Sequence, residues 1–559
     1  MAGPGNYFRS PITVKLAVGV HERASVGPLP LLLSLDSIPH PAVTNIAVAL
    51  NLGLLFRFVL KIFYGTIVVE NADLIPETGR PCIVCANHSN SLTDALLLVT
   101  SIPPWKRNML RLTAKATQFG RPTFTSWLIE SAGTVPLQRK KDHPDGTVDN
   151  SQVMANLMVA LENGDATCLF PEGMSRYHPT IAPLKTGVAR LVSDVLSRNR
   201  NNPDFEISVL TCSITYMHRQ HFRSDVLVTF HSPLTFTPKD NPELLEPVDF
   251  TNVRVLTAQI HDKISSGTFD SPSWDLIRTA KLTARMYAPL GTMMTLGDHV
   301  RIVRTFLEEF KALQSSPNPE DDGTVNQLQH DLKAYQDQLS KLAIKDDRIR
   351  RPLARHTILS RMLVRLTWSL CLFTISLPGL ILWLPVFATT FYAVHNFKKT
   401  GPIFDTWDEI AQYKLIYGLM SGICVWFTAV AFTWPFALVT TFLVPAFMWM
   451  TLRWFEDAVA AFRAFATLLR LLLVGNPTLK KMHESRKDLH ARVMNFAVSK
   501  LGLPDDPEVY FSHIGGKEKG RIRGNWDSKA RYFSIKRRRK RDWNETLRLY
   551  DKVDYPDEE

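Results

Sequence analysis

A chain of 559 residues has room for one large catalytic domain with appendages, and its 45% hydrophobic content is that of an ordinary buried core. The net charge of +12 admits a nucleic acid, an anionic membrane surface or a phosphorylated small substrate as partner. Zinc-finger spacing and RNA-recognition aromatic motifs are missing while lipid-length apolar segments are present, so nucleic acid is set aside and a lipid bilayer is expected. Six scattered cysteines (Cys82, Cys85, Cys168, Cys212, Cys371, Cys424) speak against a disulfide framework.

Residues 1–42 contain Pro28, Pro30, Pro39 and Pro41, a poor helix and an expected disordered lead-in. They show no charged start followed by a sustained apolar core and a small-residue cleavage site, so no cleaved signal peptide is expected. Within 43–70, Val43 to Tyr64 reads as an apolar helix carrying Arg57 and Lys61 on one face, which argues against a clean membrane span. It is either an amphipathic helix lying in the membrane interface or an ordinary helix packed on the catalytic domain.

In residues 71–300, short β-rich runs alternate with helical stretches. The expected strands are Cys82 to Ala86, Thr167 to Phe170, Ile207 to Tyr216 and Val226 to Phe230, with helices over Ala155 to Leu161 and Gly187 to Leu196. That alternation implies an α/β fold with a mostly parallel sheet flanked by helices, its ligands beyond the carboxyl ends of the strands. His88 and Glu172 each fall just past an expected strand and should meet at one edge of the sheet. Cys82 and Cys85 form a CxxC, but it sits in a buried-strand run and no second pair completes a zinc site; core strand is preferred over redox or metal use.

Residues 301–355 form a helical arm, in which Leu328, Leu332, Tyr335, Leu339 and Leu342 recur at alternating spacings of four and three. Residues 356–455 form the membrane region, with two blocks lacking Asp, Glu, Lys and Arg: Leu366 to Phe397 and Leu415 to Leu452. A span needs about twenty apolar residues, so spans are expected at about 366–394 and 415–452, with a kink at Pro378 or Pro385 in the first. The second block, with Pro435 near its middle, is one long tilted helix, a two-helix hairpin or a re-entrant element; the count adopted is two spans. Arginines on both outer flanks (Arg361 and Arg365 before, Arg453 and Arg463 after) fit both ends facing the cytoplasm. Residues 456–559 comprise an interfacial helix to Val474 and a tail whose basic run is Lys536 to Arg541.

Acyl transfer to a hydroxyl needs a base for a weak nucleophile. Histidine suits that task, and a carboxylate on its other nitrogen fixes the tautomer and stabilises the imidazolium. His88 with Asp94 fits those roles; the residues between them must turn, and Ser89-Asn90-Ser91 is turn-prone. Arg139, closing the run Gly133-Thr134-Val135-Pro136-Leu137-Gln138, offers a planar fork for a phosphate, its alternative being a solvated side chain. In Phe170-Pro171-Glu172-Gly173, Gly173 lets the backbone approach a ligand closely, whereas Glu172 is open to a purely structural role as a hydrogen-bond acceptor.

In order and content, Asn87 to Asp94, Gly133 to Arg139, Phe170 to Arg176 and Pro183 to Gly187 resemble the glycerophosphate acyltransferases of the 1-acyl-glycerol-3-phosphate acyltransferase-like superfamily. The closest likeness is to the fungal glycerol-3-phosphate / dihydroxyacetone-phosphate acyltransferases. Five residues separate His88 from Asp94 where the broad family has four, and the longer spacing also resembles the fungal subgroup. The resemblance covers roughly residues 45–290 and more loosely Ser376 to Phe387.

The resemblance implies that Arg139 binds the acceptor's phosphate, that Gly133, Glu172, Gly173 and Ser175 help bind the acceptor, and that Lys185 supplies a second cation. Lys115, His218 and Arg223 are second-rank candidates for donor or acceptor contacts, or else loop residues beside a strand. It further implies acyl-CoA as co-substrate with no bound cofactor and no metal, and transfer to the sn-1 hydroxyl of glycerol 3-phosphate or dihydroxyacetone phosphate. The product is lysophosphatidic acid, in the first step of phospholipid and triacylglycerol synthesis. The expected setting is the endoplasmic reticulum membrane, multi-pass, with the catalytic domain facing the cytoplasm; no protein partner is implied. A lysophosphatidic acid acyltransferase and a membrane scaffold with an inactive acyltransferase fold are the alternatives. A serine hydrolase is disfavoured because Gly173-Met174-Ser175-Arg176-Tyr177 lacks the closing glycine of a nucleophile elbow.

Overall fold

The computed structural model describes residues 46–107, 110–138, 149–219, 224–289, 292, 294–315, 323–350, 354–399 and 409–514. Eight strands form one sheet: β1 (Thr66–Glu70), β2 (Cys82–Ala86), β3 (Arg111–Lys115), β4 (Val135–Leu137), β5 (Ala166–Leu169), β6 (Ile207–Tyr216), β7 (Asp225–Phe230) and β8 (Leu234–Phe236). The order is β1-β7-β6-β2-β5-β3-β4, with β8 on β6. From β4 through β3, β5 and β2 to β6 every neighbour is parallel, and β1 is parallel to β7. Only β7 and β8 run antiparallel to β6.

Central β2 shows why its sequence is apolar without alternation. Cys82, Val84 and Ala86 face a layer containing α1 (Ile46–Phe63) and α2 (Leu92–Ser101). Ile83 and Cys85 face the opposite layer. There, beyond α3 (Phe124–Ser131), lie α4 (Ser151–Glu162), α5 (Gly187–Arg198) and α6 (Phe250–Ser265). A parallel strand covered on both faces must be apolar at every position. The CxxC is thus two core cysteines of one strand, each fully buried. On α1, Phe56, Val59, Leu60 and Phe63 are buried in the first layer and Arg57 Nη2 donates to Ile102 O at 3.5 Å, so one face packs on the sheet unit.

A second core is mostly helical, with Tyr177 joining it from the loop after β5. It gathers α7 (Trp274–Tyr287), α8 (Leu296–Ser315), α9 (Gly323–Leu342) and α10 (Asp346–Arg350) around Phe306, Phe310 and Leu332. The apolar seam read along α9 is buried here at Leu328, Leu332, Tyr335 and Leu339.

Three long helices follow: α11 (Arg355–Lys398), α12 (Ile410–Phe432) and α13 (Ala437–Val474). All three are long and apolar enough to cross a membrane. The second apolar block is divided between α12 and α13. Pro435, which has no N–H to give to a continuing helix, sits in a single tight turn, Trp434–Phe436. Beyond the turn the chain doubles back, with Trp426 Nε1 donating to Thr441 O at 3.1 Å and Thr433 Oγ1 to Thr440 Oγ1 at 2.8 Å. Pro378 and Pro385 lie inside the continuous α11.

The segment expected to be interfacial begins after residue 456. It is the unbroken continuation of α13, and its Leu468 and Leu471 enter the helical core. Nor is the chain beyond it a simple tail: α14 (Asn476–Ser499) buries Met482, Leu489, Val493 and Phe496 there, and α15 (Pro507–Ile514) adds Phe511. The expected lead-in and the basic run Lys536 to Arg541 lie outside the described residues.

Candidate active site

The sheet register brings the first motif beside the third. β2 and β5 are parallel neighbours with Cys85 opposite Leu169, so the residues that leave both strands emerge together. Asn87 extends β2 by one more rung: its side chain donates to Ile214 O at 3.0 Å and accepts from Ile214 N at 2.7 Å. The His88 ring then stacks on Phe170, centroids 4.2 Å apart at 19°.

The chain turns through Ser89, Asn90 and Ser91 into α2, whose first turn carries Asp94. Asp94 is fully buried, and such a carboxylate must be satisfied by donors. Its Oδ2 accepts from Ser89 N at 2.8 Å, from Asn90 N at 2.7 Å and from His88 Nδ1 at 2.9 Å, while Tyr216 Oη donates to Oδ1. A carboxylate only accepts, so His88 carries its proton on Nδ1 and keeps a lone pair on Nε2. That is the tautomer a base requires. Burial, with Asp94 beside it, raises the Tyr216 phenol well above its ordinary pKa and keeps it a donor.

Glu172 is a brace. Its Oε1 accepts from His88 N at 2.6 Å and its Oε2 from Ala182 N at 3.1 Å, which ties the His88 loop to the segment leading to Lys185. Burial pushes its pKa up, and the two backbone donors pull the other way. Gly173 sits at φ 73 in the turn closed by its N–H to Phe170 O at 2.9 Å, and a Cβ there would collide with the Lys185 ammonium. Lys185 N in turn donates to Pro171 O at 2.8 Å. His88, Asp94, Glu172, Gly173 and Lys185 are therefore one cluster, with Ser175 in the same loop before Arg176, whose N–H donates to His88 O at 3.2 Å.

Gly133 lies in the turn before β4 at φ 66, Lys115 ends β3, and His218 follows β6 on the wall of a cavity it shares with Asn87, Ser89, Glu172 and Arg176. Arg139 and Arg223 lie outside the described residues. Among the described residues no group of three or more His, Cys, Asp or Glu side chains is placed to hold a metal ion.

Sequence reasoning missed three contributors. Tyr216 holds Asp94 from the end of β6. Arg219 donates to Ser89 O at 3.1 Å and Arg176 O at 3.2 Å while lying over the Tyr177 ring. Gln412, on α12, accepts from Ser91 Oγ at 2.9 Å. For Tyr216 a signal existed, a polar aromatic at the end of an otherwise buried strand; for Gln412 none did.

Two parts of the chain match known protein families. Residues 66–215, from β1 to the end of β6, match the family model described as Acyltransferase. Residues 279–504, the helical core with the three long helices, match that of the Glycerol-3-phosphate acyltransferase 2 C-terminal domain. An uncharacterized acyltransferase of Schizosaccharomyces pombe is 25% identical over 65% of this chain and 56% of its own length. Glycerol-3-phosphate O-acyltransferases 2 and 1 of Saccharomyces cerevisiae are 24% and 25% identical, each over 49% of this chain and over 37% and 36% of their own lengths. The chain thus spans between about a third and just over half of the length of these relatives. A crystal structure of the 1-acyl-sn-glycerophosphate (LPA) acyltransferase PlsC from Thermotoga maritima aligns over 39% of this chain and 79% of that one at 20% identity. Its TM-score of 0.28 is too low to carry structural weight. Residues 66–215 thus resemble an acyltransferase domain and residues 279–504 a glycerol-3-phosphate acyltransferase 2 C-terminal domain, and the chain is similar to the Saccharomyces cerevisiae glycerol-3-phosphate O-acyltransferases.

Proposed function

We propose that this chain is a membrane-bound acyltransferase that moves a fatty acyl group from acyl-CoA to the sn-1 hydroxyl of glycerol 3-phosphate, with dihydroxyacetone phosphate as a second acceptor. The product from glycerol 3-phosphate is lysophosphatidic acid, the first intermediate of phospholipid and triacylglycerol synthesis. The observation that carries the reading is the 2.9 Å contact of His88 Nδ1 with buried Asp94, inside the segment matched to the acyltransferase family.

His88 Nε2 takes the proton of the acceptor hydroxyl as that oxygen bonds to the thioester carbonyl carbon. Asp94 stabilises the imidazolium that forms. The tetrahedral intermediate then collapses, the carbon–sulfur bond breaks, and the proton passes from His88 to the departing sulfur, leaving an ester and free coenzyme A. In this reading Arg139 and Lys185 hold the acceptor's phosphate, since a cleft with low-dielectric walls concentrates their field. Gly133, Gly173 and Ser175 give backbone and hydroxyl contacts to the acceptor, Glu172 positions the His88 loop, and Lys115, His218 and Arg223 make outer contacts. The three apolar helices support a membrane setting, and the compartment proposed is the endoplasmic reticulum, with the catalytic unit facing the cytoplasm.

The deciding experiment is an acceptor assay on the purified full chain, with saturated and unsaturated acyl-CoA donors. Glycerol 3-phosphate is expected to be acylated. Turnover of lysophosphatidic acid with none of glycerol 3-phosphate rejects the proposed acceptor, and turnover of neither rejects the activity.

A further inference from the structure

The helix α12 reaches the loop that holds the histidine. Its first turn is buried against the sheet unit, where Ala411 and Leu415 share a core with Phe56 and Leu60 of α1 and Leu96 and Leu97 of α2. From that turn Gln412, 9% exposed, presents its side-chain oxygen to the start of α2: Ser91 Oγ donates to it at 2.9 Å and Leu92 N at 3.3 Å.

The start of α2 has no cap of its own. Ser91 occupies the cap position but makes no side-chain hydrogen bond to the helix, and it is held at φ 48, ψ −133. A non-glycine residue there is strained and persists only where its surroundings dictate it. The first N–H groups of a helix also need acceptors that the helix cannot supply. Gln412 meets both needs, binding the hydroxyl of the strained residue and the N–H of the next. Ser91 lies between His88 and Asp94, so the same contact fixes how Asp94 Oδ2 meets His88, Ser89 and Asn90.

We propose that Gln412 is a positioning residue for acyl transfer, capping α2 from the neighbouring apolar helix so that the site is complete only with α12 docked. The inference rests on the acyl-transfer reading above.

The test uses the full chain in detergent, with three variants. Gln412→Met keeps length and volume without the acceptor, Gln412→Glu restores an acceptor oxygen, and Phe427→Ala trims an exposed side chain of the same helix away from the contact. Each is assayed with glycerol 3-phosphate and acyl-CoA, and amide hydrogen exchange is followed over residues 89–94. Losing a cap of this kind should lower kcat about tenfold in Gln412→Met, with KM for both substrates within about twofold. Gln412→Glu should recover to within about threefold of wild type and Phe427→Ala should stay within about twofold, while exchange speeds up about tenfold in Gln412→Met alone. Wild-type kcat and exchange in Gln412→Met, or equal loss in Phe427→Ala, overturns the proposal. If the wild type makes no product at all, the acyl-transfer reading fails, and the exchange of residues 89–94 still decides whether Gln412 holds the loop.

Discussion

Two buried carboxylates in this molecule solve the same problem in opposite ways. Asp94 and Asp346 are fully buried and 2% exposed, and each accepts from a tyrosine, Tyr216 and Tyr335 respectively. Asp346 also takes both arms of Arg486, at 2.8 Å each, so its charge is matched by a permanent cation. Among the described residues no arginine donates to Asp94; it is held by two backbone N–H groups and His88. The first arrangement joins α10 to α14. The second leaves a histidine beside a carboxylate placed to stabilise its imidazolium.

Removing the base should have the largest effect. His88→Ala is expected to lower kcat by about a hundredfold to ten-thousandfold. Asp94→Asn should come close, because a carboxamide cannot accept from all of His88, Ser89 and Asn90 in the same geometry. Both variants should melt within a few degrees of wild type, which separates lost chemistry from lost fold. Wild-type turnover in His88→Ala ends the assignment.

The reverse pattern is expected at Asp346. Arg486→Met strands a buried charge and should cost about 3–5 kcal/mol of stability, read from a denaturant or thermal melt, with kcat per folded molecule nearly unchanged. Adding Asp346→Leu should restore most of that loss, because an apolar pair of similar volume removes the uncompensated charge. If the double variant is no more stable than the single, the ion pair is not what holds α10 to α14.

Tyr216 tests whether the neutral donors around Asp94 matter individually. Tyr216→Phe deletes one hydrogen bond to a carboxylate, worth about 1.5 kcal/mol, so kcat should fall about tenfold. A loss as large as that of His88→Ala would mean that Tyr216 touches the reacting atoms itself.

What the sequence disclosed, and what it hid, follows the same division. Cys82 to Ala86 was readable as a strand because a parallel strand covered on both faces has no polar position to confuse the pattern. The pairing of His88 with Asp94 was anticipated from the company of the other motifs and the turn-prone Ser89-Asn90-Ser91, since a His six residues before an Asp is a weak signal alone. Tyr216 lies 122 residues from Asp94 and Gln412 lies 321 from Ser91, and periodicity says nothing about contacts made only when separate elements pack. Hydropathy likewise summed Leu415 to Leu452 as one block, since it counts apolar residues and not where a proline turns the chain. Arg486 was invisible for another reason: an arginine in a charged segment reads as solvated until a buried aspartate is found opposite.

The smallest effect at neutral pH concerns a histidine with no carboxylate on its ring, the counterpart of His88 in the helical core. Burial, helped by Arg285 and Lys281, pushes the His299 imidazole down to about 3. In the unfolded chain it binds a proton near pH 6.5, in the folded chain only near 3, so between those values the unfolded state holds more protons. The stability this histidine governs is therefore full above pH 6.5 and is lost as the pH falls toward 3, at up to about 1.4 kcal/mol per pH unit. His231, lowered to about 4 and bonded to Ser213, adds its own slope in the sheet unit, so the comparison must be made between variants. His299→Leu should match wild type near pH 7.5 and outlast it by about 1–2 kcal/mol near pH 5.5, measured by denaturant unfolding at both pH values. Equal losses in the two proteins on acidification would show that His299 is protonated in the folded state, and that the helical core tolerates a charge which the cations beside it should forbid.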